Sequence, residues 1–159
     1  MDGLGWYSQG PLRLSLSKPR RPANLSAMTF TLTFTALPEH IDIMGHVNNA
    51  VWVQWMEAMA TAHWEAVAPP EHQAKYAWVV TRHEIDYRGN IREGESVTGE
   101  TFIPEGPTGA RFVRRVDFRN AAGKILVSAR TTWAMIEIAS QRLMRVPPEV
   151  AAPFWDGAE

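Results

Sequence analysis

Between Thr29 and Thr35 every second residue is apolar: Phe30, Leu32 and Phe34 alternate with four threonines. A period of 2 predicts a strand with one buried face, and Pro38 ends it. A compact polar turn follows, His40 to His46. The pattern then changes. From about Asn48 to Ala68, Val51, Trp52, Val53, Trp55, Met56, Met59, Ala60, Trp64 and Val67 occupy nearly all sides of a helix. The polar residues Gln54, Glu57, Thr61 and Glu65 gather in one narrow stripe. Such a helix is wrapped by other structure instead of lying on a surface. The short amide side chain of Asn48 or Asn49 can cap it, and Pro69-Pro70 stops it.

Strand patterns return after the helix. Residues 77–88 are rich in β-formers and end in Ile85-Asp86-Tyr87, with turn signals at Gly89-Asn90 and Glu93-Gly94. Val97 to Pro104 is the next run, and Gly106-Pro107-Thr108-Gly109 turns the chain. Phe112, Arg114, Val116 and Phe118 then alternate with Arg111, Val113, Arg115, Asp117 and Arg119. Asn120-Ala121-Ala122-Gly123 makes another turn, and Lys124 to Ile138 is a long final strand. Short connections predict antiparallel neighbours, so the order strand, helix, four strands reads as an α+β fold. One helix cannot cover both faces of five strands. The sheet therefore has to curl around it, and its outer face or edge is expected to meet a second subunit.

Composition narrows the function. A chain of 159 residues is one domain by size. Residues 1–27 differ from the rest: four basic residues stand against the one acid Asp2, in a Gly/Ser/Pro-rich stretch with no sustained period. Pro11, Pro19 and Pro22 rule out the amphipathic helix of a targeting peptide. The reading is a flexible N-terminal extension over 1–27 and a folded domain over 28–159, opened by Met28. The chain has no cysteine, which removes disulfides, thiolate metal sites and a cysteine nucleophile. A net charge of −1 lacks the basic excess of a nucleic-acid binder. No apolar run approaches the ~18 residues of a membrane span, so no membrane partner and a cytoplasmic location are expected. The five histidines lack metal-ligand spacing, so neither metal nor cofactor is expected.

The informative stretch is Asp42-Ile43-Met44-Gly45-His46-Val47-Asn48-Asn49-Ala50. It sets a carboxylate just ahead of a helix N-terminus, whose unsatisfied amides carry the positive end of the dipole. An amide there can polarise a carbonyl and hold a developing oxyanion. The same field keeps Asp42 ionised, suited to act as base or nucleophile. An aspartate before a helix is also a common turn cap, and spacing alone does not separate the two readings.

The motif D-x-x-G-H-V-N-N-A before a long apolar helix resembles the hotdog-fold thioesterases of the 4-hydroxybenzoyl-CoA thioesterase-like family. The likeness runs from about Thr29 to Pro148 and takes in Trp52, Glu57, Ile85-Asp86-Tyr87, Gly94 and the Trp133 strand. It implies a long central helix wrapped by a curled antiparallel five-stranded sheet, a homodimer or homotetramer, and metal-free hydrolysis of acyl-CoA thioesters. By the same resemblance the catalytic carboxylate falls on Asp42, and the amide holding the thioester oxygen falls on Asn49. Gly45, His46, Val47 and Asn48 become substrate-contacting residues. The benzoyl-CoA branch carries a tyrosine where Asn49 stands, which points away from an aromatic acyl group.

Other residues carry two readings each. Glu57 lies nine residues past Asn48, about 13 Å along the axis, too far to share the Asp42 site in one subunit. It reads as a satisfied buried or interfacial carboxylate. His46 orients water or substrate, or is a turn histidine. His83, grouped with Val79, Thr81, Ile85 and Tyr87, approaches the pocket or is a partnered core histidine. Arg88 and Arg92 are candidates for the CoA phosphates, while Arg111, Arg115 and Arg119 read first as a solvated face. Two rival functions remain: a hotdog dehydratase or hydratase pairing a histidine with an acid, and a non-catalytic acyl-CoA-binding protein.

Overall fold

The alternating threonine segment is strand β1, Phe30–Thr35, and Pro38–His40 forms a single 3-10 turn after it. Helix α1 spans Asn49–Val67, with Asn48 as its N-cap and Ala68 as its C-cap. These observations come from a computed structural model that describes residues 28–155 and 157. The expected extension over 1–27 lies outside the described residues. After α1 come α2 (Pro70–Lys75), β2 (Tyr76–Tyr87), β3 (Ser96–Phe102), β4 (Arg111–Arg119), β5 (Ile125–Glu137), β6 (Arg142–Leu143) and α3 (Pro148–Ala151).

Five strands form one antiparallel path, β1-β3-β4-β5-β2. The two-residue β6 adds a sixth, pairing with β5 beyond the point where β4 ends. It was not expected, because two exposed residues after a tight turn carry no period. Pro69-Pro70 does stop α1, but Pro70 also opens α2, where proline's fixed φ suits a first turn. The last turn, α3, seats Val150, Ala151 and nearby Phe154 against Phe112 and Met135 at one end of the sheet.

The inward face of the sheet wraps α1. Leu32 and Phe34 from β1, Val97 from β3, Val116 and Phe118 from β4, and Val127 and Ala129 from β5 close around Val51, Trp52, Trp55, Met56 and Met59. Trp52, Met59 and Phe118 are fully buried; truncating a side chain of this kind to Ala costs about 3–5 kcal/mol. Gly99 lets β3 come close: a Cβ there would stand 3.0 Å from the Met59 sulfur and 3.1 Å from Phe118. The outward face of the sheet carries ion pairs, among them Arg119–Glu100 at 3.0 Å and Arg130–Glu105.

Two expectations need correction. The α1 stripe Ala50, Gln54, Glu57, Thr61 and Glu65 is exposed. The half-barrel covers the rest of the helix and leaves this side open, so Glu57 is not buried within the chain. His83 also does not share a face with Val79. The β2–β5 register slips between Val80 and Arg82, leaving Thr81 as an extra residue. A bulge reverses the alternation. Tyr76, Trp78 and Val80 therefore share the inward face with His83, Ile85 and Tyr87, and Val79 turns outward, 40% exposed.

Candidate active site

The Asp42 loop is closed by its own backbone. Asp42 N–H donates to His46 O at 2.8 Å, and Gly45 N–H donates to Asp42 O at 3.0 Å. Gly45 sits at φ +74°, a conformation a side chain disfavours. Oδ1 of Asp42 accepts from the N–H of Met44 at 2.8 Å and of His46 at 3.3 Å. Oδ2 has no partner among the described residues. The carboxylate thus caps its turn and still presents a free oxygen.

The next residues deliver the chain into α1. Asn48 N–H donates to His40 O, and Asn48 Oδ1 accepts from Ala50 N–H at 2.9 Å. His40 is held in turn, its Nδ1 accepting from Leu37 N–H and its ring meeting Trp55 edge-on. The N–H of Asn49, first residue of α1, has no acceptor among the described residues, and Asn49 is exposed. The amide at the helix start and the Oδ2 of Asp42 are thus both without a partner among the described residues.

The remaining expected residues divide. Val47 is fully buried in the core, and its N–H and C=O are taken by Ile91 O and Asn90 Nδ2. It presents no free polar group and acts as an anchor for the loop. His46 is half-buried and its ring makes no hydrogen bond among the described residues. His83 is engaged elsewhere, its Nδ1 2.9 Å from Thr131 Oγ1 on the inward face. Arg88 is exposed and paired with Asp86 at 3.0 Å. Arg92 is exposed, and its side chain has no partner among the described residues. Glu57 likewise has none.

Sequence reasoning missed three residues. Asn90, read only as a turn former, ties the β2–β3 connection to Val47. The Tyr87 hydroxyl donates to Asn49 O over a long 3.4 Å, setting a half-exposed ring at the helix start; burial raises its pKa. Arg114 points inward and is buried. Its place in the series Phe112, Arg114, Val116, Phe118, one charge on an otherwise apolar face, was the available signal. Among the described residues no cluster could hold a metal ion, and no helix is long and apolar enough to cross a membrane.

The profile of the thioesterase-like superfamily matches residues 36–154, and the chain belongs to that family. Its reaction class is thioester hydrolysis. Among solved structures, the hypothetical protein SAV2348 from Staphylococcus aureus, in complex with CoA, is similar at TM-score 0.71 and 16% identity, over 79% of this chain and 80% of that one. Slr0204, a 1,4-dihydroxy-2-naphthoyl-CoA thioesterase from Synechocystis, is similar at 0.66 and 15%, over 79% and 94%. An acyl-ACP thioesterase from Bacteroides thetaiotaomicron is similar at 0.66 and 23%, over 75% of this chain and 50% of that one. At such identities the likeness establishes the fold, a hotdog. No curated protein matches the chain in sequence.

Proposed function

We propose that the protein hydrolyses acyl-CoA thioesters, with Asp42 as the reactive carboxylate and the Asn49 N–H as the donor to the thioester oxygen. What supports this reading is that the Asn49 N–H, at the start of α1, and the Oδ2 of Asp42, seven residues earlier in the same loop, both lack a partner among the described residues. In the reaction, the carbonyl carbon gains an oxygen and the C–S bond breaks. The electron pair leaves with the CoA sulfur, and the acid is released. Asp42 either takes a proton from the attacking water, or attacks first and forms a mixed anhydride that water then cleaves. Its oxyanion would be stabilised by the Asn49 amide and the dipole of α1. Single turnover in ¹⁸O-water separates the routes, because only the anhydride route can leave label in the Asp42 carboxylate.

Further support comes from the loop surface. Ile43 is fully exposed, at 102%, and Met44 is 71% exposed, and no element among the described residues covers them. An acyl group or a second subunit suits them. Arg92, whose neighbour Ile91 bonds Val47, has its guanidinium free for a CoA phosphate; Arg88 would first have to leave Asp86. The test is thiol release from a panel of acyl-CoAs and one acyl carrier protein thioester. Release by wild type and its loss in Asp42→Asn is the expected result; no release from any thioester would overturn the reading.

A further inference from the structure

At the far end of α1 from Asp42 lies a cavity of about 270 Å³. Its walls include Trp64, Trp78, Trp133 and Phe112, and Arg114 lies among them. The aromatic rings form a connected set: Trp64 meets Trp78 edge-on at 5.9 Å and stacks on Phe154 at 5.6 Å. Exposed Thr61 and Ile138 also line the space, so it opens toward solvent between α1 and the end of β5.

Arg114 is the unusual member. It is 8% exposed, and no carboxylate among the described residues pairs with it. Nη1 donates to His63 Nδ1 at 2.9 Å and to Thr101 Oγ1 at 2.9 Å. Both partners are neutral. The His63 ring is packed flat on Phe30, with centroids 4.9 Å apart, and meets Phe154 edge-on. Burial, and then the neighbouring Arg114 charge, hold His63 uncharged near neutrality. Nε and Nη2 of Arg114 have no acceptor among the described residues. Trp133, on the same wall, has a buried indole N–H that also lacks one. A buried cation without an anion is costly, and chains retain such a charge where something pairs with it. Here the fork of Nε and Nη2 is the half of the guanidinium left for a carboxylate.

We propose that this cavity binds a free carboxylic acid with an apolar body, its carboxylate on Nε and Nη2 of Arg114 and its body among the three tryptophans. The space is large enough for a medium-chain acid, and octanoate is the probe used below. The ligand is a separate molecule, not the acyl arm of a thioester held at Asn49. Ala60 is eleven residues along α1 from Asn49, about 16 Å, and fully packed Trp52, Trp55, Met56 and Met59 fill the interval. The site stands independently of the role given to Asp42.

The test is a calorimetric titration of the full chain with octanoate and with octanamide, which has the same body without the charge. Quenching of tryptophan fluorescence provides a second readout. Saturable octanoate binding at least tenfold tighter than octanamide is expected, and Arg114→Met should bring the two ligands within about twofold of each other. Equal binding of acid and amide by wild type, or no octanoate binding at millimolar concentration, would overturn the proposal. So would binding of octanedioyl-CoA without binding of octanoate, which would assign the cavity to a thioester's far end. Arg114→Met removes a buried unpaired charge and should melt at or above the wild-type temperature. If it fails to fold, the acid–amide comparison on wild type still decides. None of these readouts depends on turnover, so failure here and failure of the Asp42 reading are told apart.

Discussion

The two oxygens of Asp42 sit in different surroundings. Oδ1 is held by Met44 and His46 N–H, and Oδ2 is free. Asparagine keeps an acceptor at the first position and removes the base at the second. Asp42→Asn should therefore keep its melting temperature and lose about 10²–10⁴ in kcat, read by thiol release. Glu57→Gln, on the exposed stripe of α1, should leave kcat within about twofold in the same assay. His63 makes a separate prediction. Burial, followed by the Arg114 charge, lowers its pKa from 6.5 to about 3. Between those values the unfolded chain binds a proton that the folded chain excludes. Its contribution to stability is thus full above about pH 6.5 and falls on acidification, by up to about 1.4 kcal/mol per pH unit. Chemical denaturation at pH 6.5 and 5 should show that slope, and His63→Gln, which does not titrate, should flatten it.

At the scale of elements, the start of α1 matters more than its length. Asn48 satisfies the Ala50 amide, so the first free donor is the Asn49 N–H. Asn48→Ala removes that cap and should lower stability by about 1 kcal/mol, measured by denaturant titration. It should also lower kcat/KM, because the oxyanion donor loses its fixed direction. The periodicities of β1, β4 and α1 were legible because each element buries one continuous apolar face. The bulge at Thr81 was not. It is set by how β2 must bend to follow β5, a property of the pair that leaves no mark on one strand's alternation. β6 and α3 escaped because both are too short for a period: β6 is held by its turn back onto β5, and α3 by packing on Phe112 and Met135.

At the scale of the whole molecule, three surfaces of the described residues stand uncovered. β2 is an edge strand of 12 residues, with no partner on its free side among the described residues. The α1 stripe faces outward beside it, and Ile43 and Met44 stand exposed at the candidate site. A long open edge is a ready template for pairing. A second copy that extends the sheet edge-to-edge would cover the stripe and approach the Asp42 loop. Sedimentation at micromolar concentration should give a dimer or tetramer; a species of one-chain mass alone would refute this. Activity that falls on dilution, in step with dissociation, would place part of the site across the interface.

Local pattern determined the antiparallel strand order's raw material, the central helix and the Asp42–Asn49 loop. Periodicity, turn residues and a helix start are properties of neighbouring residues, and this chain writes them plainly. Tertiary structure decided which side chains share a space. Only there does Asn90 reach Val47, does Tyr87 meet Asn49, and do Arg114 and His63, 51 residues apart, bond in the interior. Those pairings follow from strand register and from how the sheet closes on α1, both set by the sum of long-range packing contacts.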